Sequence, residues 1–191
     1  MGPVEWIAVG LGNPGRDYEN TRHNAGFCAV ERIAGKCGVK IDRLKFKSLC
    51  ADTTFGGKRV LLMKPSTFMN CSGEAVREAM QFYKIPAERV LVLFDDVSLD
   101  PGRLRIRRQG SDGGHNGIKN MIYLTGKDTF PRIKIGVGKK PHPEYDLAAW
   151  VLGKFPKELA DTMDKAYERA AEAAQLIIEG KIDEAMNRYN A

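Results

Sequence analysis

The chain has 191 residues, 43% of them hydrophobic, which is enough for one globular domain with a substantial core over residues 1–191. Its formal net charge of +6 is a mild basic excess that leans toward nucleic acid without requiring it. No apolar run approaches the roughly 20 residues that span a bilayer, and no basic-then-apolar leader opens the sequence, so the expectation is a cytoplasmic protein without membrane contact.

Trp6 to Gly10 reads as a buried first strand. The loop after it, Gly10-Leu11-Gly12-Asn13-Pro14-Gly15, has the glycine spacing of a dinucleotide fingerprint. That reading needs a helix to open within the motif. Pro14 interrupts the loop and Arg16 to His23 is polar without an apolar stripe, so the glycines are better used as a tight turn that brings Asn13 to a ligand. Asn24 is placed to cap a helix that runs to about Lys36 and ends at Gly38. Leu49 to Phe55 and Arg59 to Met63 flank Gly56-Gly57-Lys58, a hairpin signal. A helix is expected from about Gly73 to Tyr83, capped by Asn70 or Ser72 and stopped at Pro86. If Ser72 caps, the Asn70 amide is left for a substrate.

Val90 to Phe94 has the length of a fully buried strand, and Leu99-Asp100-Pro101-Gly102 is a turn. In Arg103-Leu104-Arg105-Ile106-Arg107-Arg108 the period is two. A strand there puts Arg103, Arg105 and Arg107 on one face and Leu104 and Ile106 in the core. Such a face is either plainly solvated or binds phosphate. Gly110 to Gly117 is a glycine-rich loop, followed by a short helix and the strand Arg132 to Val137. Lys157 to Glu179 and Ile182 to Tyr189 read as C-terminal helices. The fold class is therefore α/β, a single domain with a mixed twisted sheet among helices.

Cys28, Cys37, Cys50 and Cys71 form no C-x-x-C pair and read as ordinary thiols, and His23, His115 and His142 lie too far apart in sequence for zinc spacing. His23 sits on a polar loop, beside Asn24. Asp95 and Asp96 end an apolar run, while Asn13, Asn70 and Asn116 occupy short glycine- or proline-bearing loops. An imidazole, a carboxylate to orient it and amides to hold a carbonyl make a metal-free, water-activating site. His115 is a rival base, ranked second because glycines and an amide surround it with no apolar wall. Spacing does not rank Asp95 against Asp96. No Gly-x-Ser-x-Gly elbow supports a serine esterase.

Five segments together carry a resemblance: Gly10 to Gly15 with Tyr18, Thr21 to Gly26, Lys64 to Gly73, Asp95-Asp96 before Leu99 to Gly102, and Gly113 to Gly117. In this order, and over nearly the whole chain, the sequence resembles the bacterial peptidyl-tRNA hydrolase family. The resemblance implies one α/β domain, usually monomeric and without metal or cofactor. The activity it implies is hydrolysis of the ester between a peptide's C-terminal carbonyl and the terminal ribose of tRNA, which recycles tRNA from prematurely released peptidyl-tRNA. It puts the catalytic histidine on His23, its aspartate partner on Asp95 and the substrate-binding positions on Asn13, Tyr18, Met69, Asn70 and Asn116. Asn70 would also hold the water or the oxyanion. The implied partner is the acceptor end of tRNA, with phosphates on Arg107 and Lys134, joined by Arg105 from the strand reading. Family members often carry His before the aspartate; Phe94 stands there in this sequence and predicts a drier site. Some plant relatives serve RNA splicing, so the alternative is a non-catalytic RNA-binding protein of the same fold.

Overall fold

The computed structural model describes residues 2–190. Seven strands form one sheet: β1 (Trp6–Gly10), β2 (Arg43–Lys45), β3 (Ser48–Phe55), β4 (Lys58–Pro65), β5 (Val90–Asp96), β6 (Leu104–Arg107) and β7 (Arg132–Gly136). Their order is β2-β3-β4-β1-β5-β7-β6. The central four, β4, β1, β5 and β7, run parallel, while β2, β3 and β6 are antiparallel to their neighbours. The helices are α1 (Ala25–Cys37), α2 (Ser72–Tyr83), α3 (Asn116–Thr125), α4 (Leu147–Val151), α5 (Ala160–Ile178) and α6 (Ile182–Tyr189). No helix among the described residues is long and apolar enough to cross a membrane.

Strand alternation divides the core into two layers. Ala8, Leu62, Leu93, Ile133 and Ile135 face α1, α5 and α6, while Val9, Met63, Val92 and Phe94 face α2 and α3. Because both faces are covered, the central strands are almost continuously apolar, as parallel strands require. The chain leaving β1 turns to the α1 face and the chain leaving β4 turns to the α2 face. A crevice therefore opens at the carboxyl ends of these strands. Close approach there depends on two glycines. A Cβ on Gly10 would lie 2.1 Å from the carbonyl oxygen of Gly26, and one on Gly26 would lie 2.2 Å from that of Leu93. Thus the glycines that resemble a dinucleotide fingerprint pack β1 against α1, whose first residue, Ala25, is ten positions beyond Gly15.

At the other edge, β6 is closed from a distance. The Asn190 side chain, just past α6, accepts from the Ile106 N–H at 2.7 Å and donates to the Ile106 carbonyl at 3.2 Å. It imitates one rung of a neighbouring strand.

Two expected caps are corrected by the structure. Asn24 is the residue before α1 but does not cap it, since its side chain is engaged elsewhere. Neither Asn70 nor Ser72 caps α2. Instead Asn120 of α3 accepts from the Gly73 N–H at 2.7 Å, and the Ser72 hydroxyl donates back to the Met69 carbonyl. In both places a long-range partner replaces the local one.

Candidate active site

Asp95, the last but one residue of β5, is buried, with an imidazole on each carboxylate oxygen. Oδ2 lies 2.7 Å from Nδ1 of His23, and Oδ1 lies 2.8 Å from Nε2 of His115. His23 arrives from the short turn before α1, on one face of the sheet. His115 arrives from the residue before α3, on the other. Burial alone would raise the Asp95 carboxyl, but the two imidazoles outweigh it and hold the group well below the usual carboxylate range. Asp96, which spacing could not separate from Asp95, turns away to accept from the Ser98 N–H and hydroxyl at 2.7 and 2.6 Å.

The two histidines are not equivalent. His115 caps α3: its Nδ1 accepts from the N–H groups of Gly117 at 3.1 Å and Ile118 at 3.3 Å. Nδ1 is therefore a lone pair, and the ring proton sits on Nε2, aimed at Asp95. Both ring nitrogens are in use. His23 spends only Nδ1, and among the described residues nothing bonds its Nε2, which is left to the cleft. The reason for ranking His115 second, the lack of an apolar wall, does not hold. The Phe94 ring packs edge-on against His115 at 4.9 Å, so His115 does have an aromatic wall. His23, Asp95 and His115 are close enough to suggest a metal set. The nitrogen that His115 turns toward Asp95 carries a proton, however, so this ring offers the carboxylate a donor and has no lone pair there for a cation.

The cleft above His23 has a volume of about 510 Å³. Asn13, Tyr18, Met69, Asn70 and Asn116 all line it, as does Lys134. Asn70 and Asn116 are exposed, and their amides have no partner among the described residues. Asn13 is held differently. Its backbone N–H donates to Oδ1 of Asn24 at 2.8 Å, its carbonyl accepts from Nδ2 of Asn24 at 2.9 Å, and its own Oδ1 accepts from the Met69 N–H at 2.7 Å. Asn24 and Asn13 are both buried. Asn24, next to His23, thus fixes the backbone of the loop after β1, and the Asn13 side chain in turn ties that loop to the loop after β4. The second loop needs holding, because Phe68 sits at φ 61°, ψ 159°, a region occupied almost solely by glycine. Strain of roughly 1–3 kcal/mol there is balanced by the bonds that fix Met69. Sequence reasoning missed this clamp. The adjacency of Asn24 to His23 was visible, but its partner 11 positions back was not.

We expect Asn24→Ala to lower stability by about 1–3 kcal/mol for each Asn13 backbone group left unpaired. Asn24→Asp should recover only part of this, since a carboxylate accepts from the Asn13 N–H but repels its carbonyl. Urea unfolding of the three proteins decides the order, and equal stability of all three would show the clamp to be idle.

A second missed part is α4. Asp146 caps it by accepting from the Ala149 N–H, and Leu147, Val151 and Leu152 form an apolar wall on the cleft. The segment is fastened to the His23 loop. Arg22 lies 3.5 Å over the Trp150 ring, its Nη1 donates to the Trp150 carbonyl, and its backbone N–H donates to that of Gly153. Asp146 before Leu147-Ala148-Ala149-Trp150-Val151 is a readable helix start.

The arginine strand alternates as expected, with Leu104 and Ile106 buried. Arg105 pairs in register with Lys134, and Arg107 with Arg132, so four cations share one face. Arg103 falls just outside β6, in the preceding turn. Arg132 is wholly buried. Its guanidinium donates to the carbonyls of Phe130, Ser111 and Asp128, and burial lowers its pKa to about 10. Lys134 is lowered as well, first by burial and then by Arg132, Arg107 and Arg105, against the opposing pull of Asp96. An anion at this face would relieve the mutual repulsion.

The peptidyl-tRNA hydrolase family model matches residues 7–191. The chain is 51% identical to a peptidyl-tRNA hydrolase of Caldanaerobacter subterraneus subsp. tengcongensis over 185 residues, covering 97% of this chain and 99% of the relative. It is 50% identical to one of Clostridium novyi, covering 97% of each. The crystal structure of peptidyl-tRNA hydrolase from Acinetobacter baumannii superposes with a TM-score of 0.92 at 37% identity, covering 98% of this chain and 95% of the other. With motifs, fold and relatives in agreement over nearly the whole sequence, the chain belongs to the peptidyl-tRNA hydrolase family.

Proposed function

We infer that this protein hydrolyses the ester joining a peptide's C-terminal carbonyl to the terminal ribose of tRNA, with His23 as the base that activates water. The observation that carries this reading is the His23–Asp95 pair, whose free Nε2 opens into a cleft edged by three asparagine amides. An ester has a good leaving group, so a base and an oxyanion donor suffice. Asp95 accepts the Nδ1 proton, leaves the Nε2 lone pair toward the water and favours the imidazolium that forms. Such help is worth about 10²–10⁴ in rate. Asn70 holds the water or the developing oxyanion, where one donor contributes about 2.7–4 kcal/mol. Asn13 and Asn116 bind peptide amides, and Tyr18 and Met69 form the wall beside them. A site built this way reads the peptide backbone and ignores its side chains. The protein acts as a monomer, without cofactor. The test is release of N-blocked amino acid from aminoacyl-tRNA by the purified protein with a chelator present; no release would favour the non-catalytic RNA-binding alternative.

Arg105, Arg107 and Lys134 take phosphates of the acceptor end. Arg107→Ala and Lys134→Ala should raise KM for tRNA substrates while short ester substrates are nearly unaffected. Each lost contact should flatten the log–log dependence of binding on salt by roughly 0.7–0.9. Titrating KM against salt for both variants measures this. Unchanged slopes would leave these side chains as plain surface charge.

A further inference from the structure

We propose that His115 is a positioning residue of the reaction: a fixed, neutral N–H donor that occupies Oδ1 of Asp95 and commits the other oxygen to His23. This rests on the reading of His23 as the base. Position 115 has two neighbours with opposite demands. The N-terminus of α3 presents two N–H groups that need an acceptor, and Asp95 presents an oxygen that needs a donor. An imidazole meets both at once, with a lone pair at one end and a proton at the other. Serine, asparagine or aspartate would cap the helix but would not also reach across to Asp95 as the ring does. A second proton on this ring would have to displace both cap bonds and would put a cation at the positive end of a helix.

The arrangement separates two imidazoles that share one carboxylate. Their ring centres are 5.1 Å apart, near enough to compete for a proton. The cap at α3 removes His115 from that competition, so the proton taken from water has one destination. It also divides the charge of a buried carboxylate between two donors. If the His115 donor is removed, His23 alone compensates the anion. Its imidazolium is then held more tightly, and it becomes a free base only at higher pH.

Few other groups face the pair. Behind Asp95, Tyr167 of α5 and Cys28 of α1 are hydrogen-bonded to each other, and burial raises both, which keeps them neutral. On the cleft side stand Asp96, tied to Ser98, and Lys134. In the loop before His115, the Asp112 carboxylate accepts from the Gly114 N–H. Phe94 closes the remaining side of the ring.

The experiment has two arms on the full-length protein. The first is imidazole ¹H–¹⁵N correlation of the wild type across the pH range in which His23 titrates. His115 should keep its Nε2 proton and a bare Nδ1 throughout. A His115 that takes up a second proton with or before His23, or that carries its proton on Nδ1, overturns the proposal. The second arm is kcat/KM against pH for His115→Gln, His115→Ala and the wild type. A Gln amide offers an acceptor and a donor in the same order, so the acid limb should stay in place. In His115→Ala the limb should move upward by roughly one unit. A purely structural role would lower His115→Ala equally at every pH, and that result would also sink the idea. If His115→Ala does not fold, the wild-type spectrum and His115→Gln still decide. Failure of the underlying reading looks different: His23→Ala would keep its turnover while the His115 spectrum stayed as expected.

Discussion

His23→Ala should fold normally and lose about 10²–10⁴ in kcat on N-blocked aminoacyl-tRNA, the range a general base supplies. Its position favours a clean result. The side chain touches Asp95 and the cleft and is no part of either core layer, so removing it leaves the sheet and its helices in place. The four cysteines supply the contrast. Burial raises the Cys28 thiol and takes Cys50 to about 11, and hydrogen bonding to Glu74 raises Cys71. A nucleophilic cysteine needs the opposite shift. Cys28→Ser, Cys37→Ser, Cys50→Ser and Cys71→Ser should therefore all remain active. Circular dichroism and a tRNA-release assay on the five variants are sufficient. An active His23→Ala would end the role given to His23, and a trapped peptidyl-enzyme would end the direct attack of water.

Asp95→Asn should be nearly as damaging in kcat, with KM close to wild type. A carboxylate accepts from both imidazoles, whereas an amide has one oxygen and one NH₂. His115 is anchored as a donor by the α3 cap, so it claims the amide oxygen. The NH₂ group then faces His23, which must accept at Nδ1 and carry its proton on Nε2. That is the wrong tautomer for a base. The loss should approach that of His23→Ala without exceeding it, because an N–H still faces the substrate. Asp96→Asn, which loses only contacts to Ser98, serves as the control. If Asp96→Asn lost activity and Asp95→Asn kept it, the orienting role would pass to Asp96.

Much of this molecule was legible in its sequence. Period-two alternation located β6, unbroken apolar runs located β1 and β5, and helical spacing located α5 and α6 almost to their ends. The candidate site was legible as a set of residue types on loops, and all of those named reach one cleft or the cationic face beside it. What escaped was partnership at long range. Asn24 has the local signature of a helix cap, and nothing in its neighbourhood announces that it grips the backbone of Asn13. His115 stood among glycines, so its aromatic wall, 21 residues earlier in the chain, was invisible. The same holds for Asn120 at the start of α2. A short polar side chain satisfies a neighbour or a distant backbone equally well, and only the packed chain decides which.

The closure of β6 by Asn190 has a consequence for how the protein is made. Open strand edges recruit other chains, and until Asn190 arrives β6 is such an edge, guarded only by Arg105 and Arg107. Ile106 and its partner are separated by 84 residues. β6 joins the sheet only through β7, so the edge exists once Gly136 has been made, and at roughly 5–20 residues per second the ribosome needs about 3–11 s to go from there to Asn190. For that interval the nascent sheet is unfinished along one side. The two arginines, argued above to meet phosphate in the folded protein, would during synthesis also be the charges that keep this edge from pairing with a neighbouring chain.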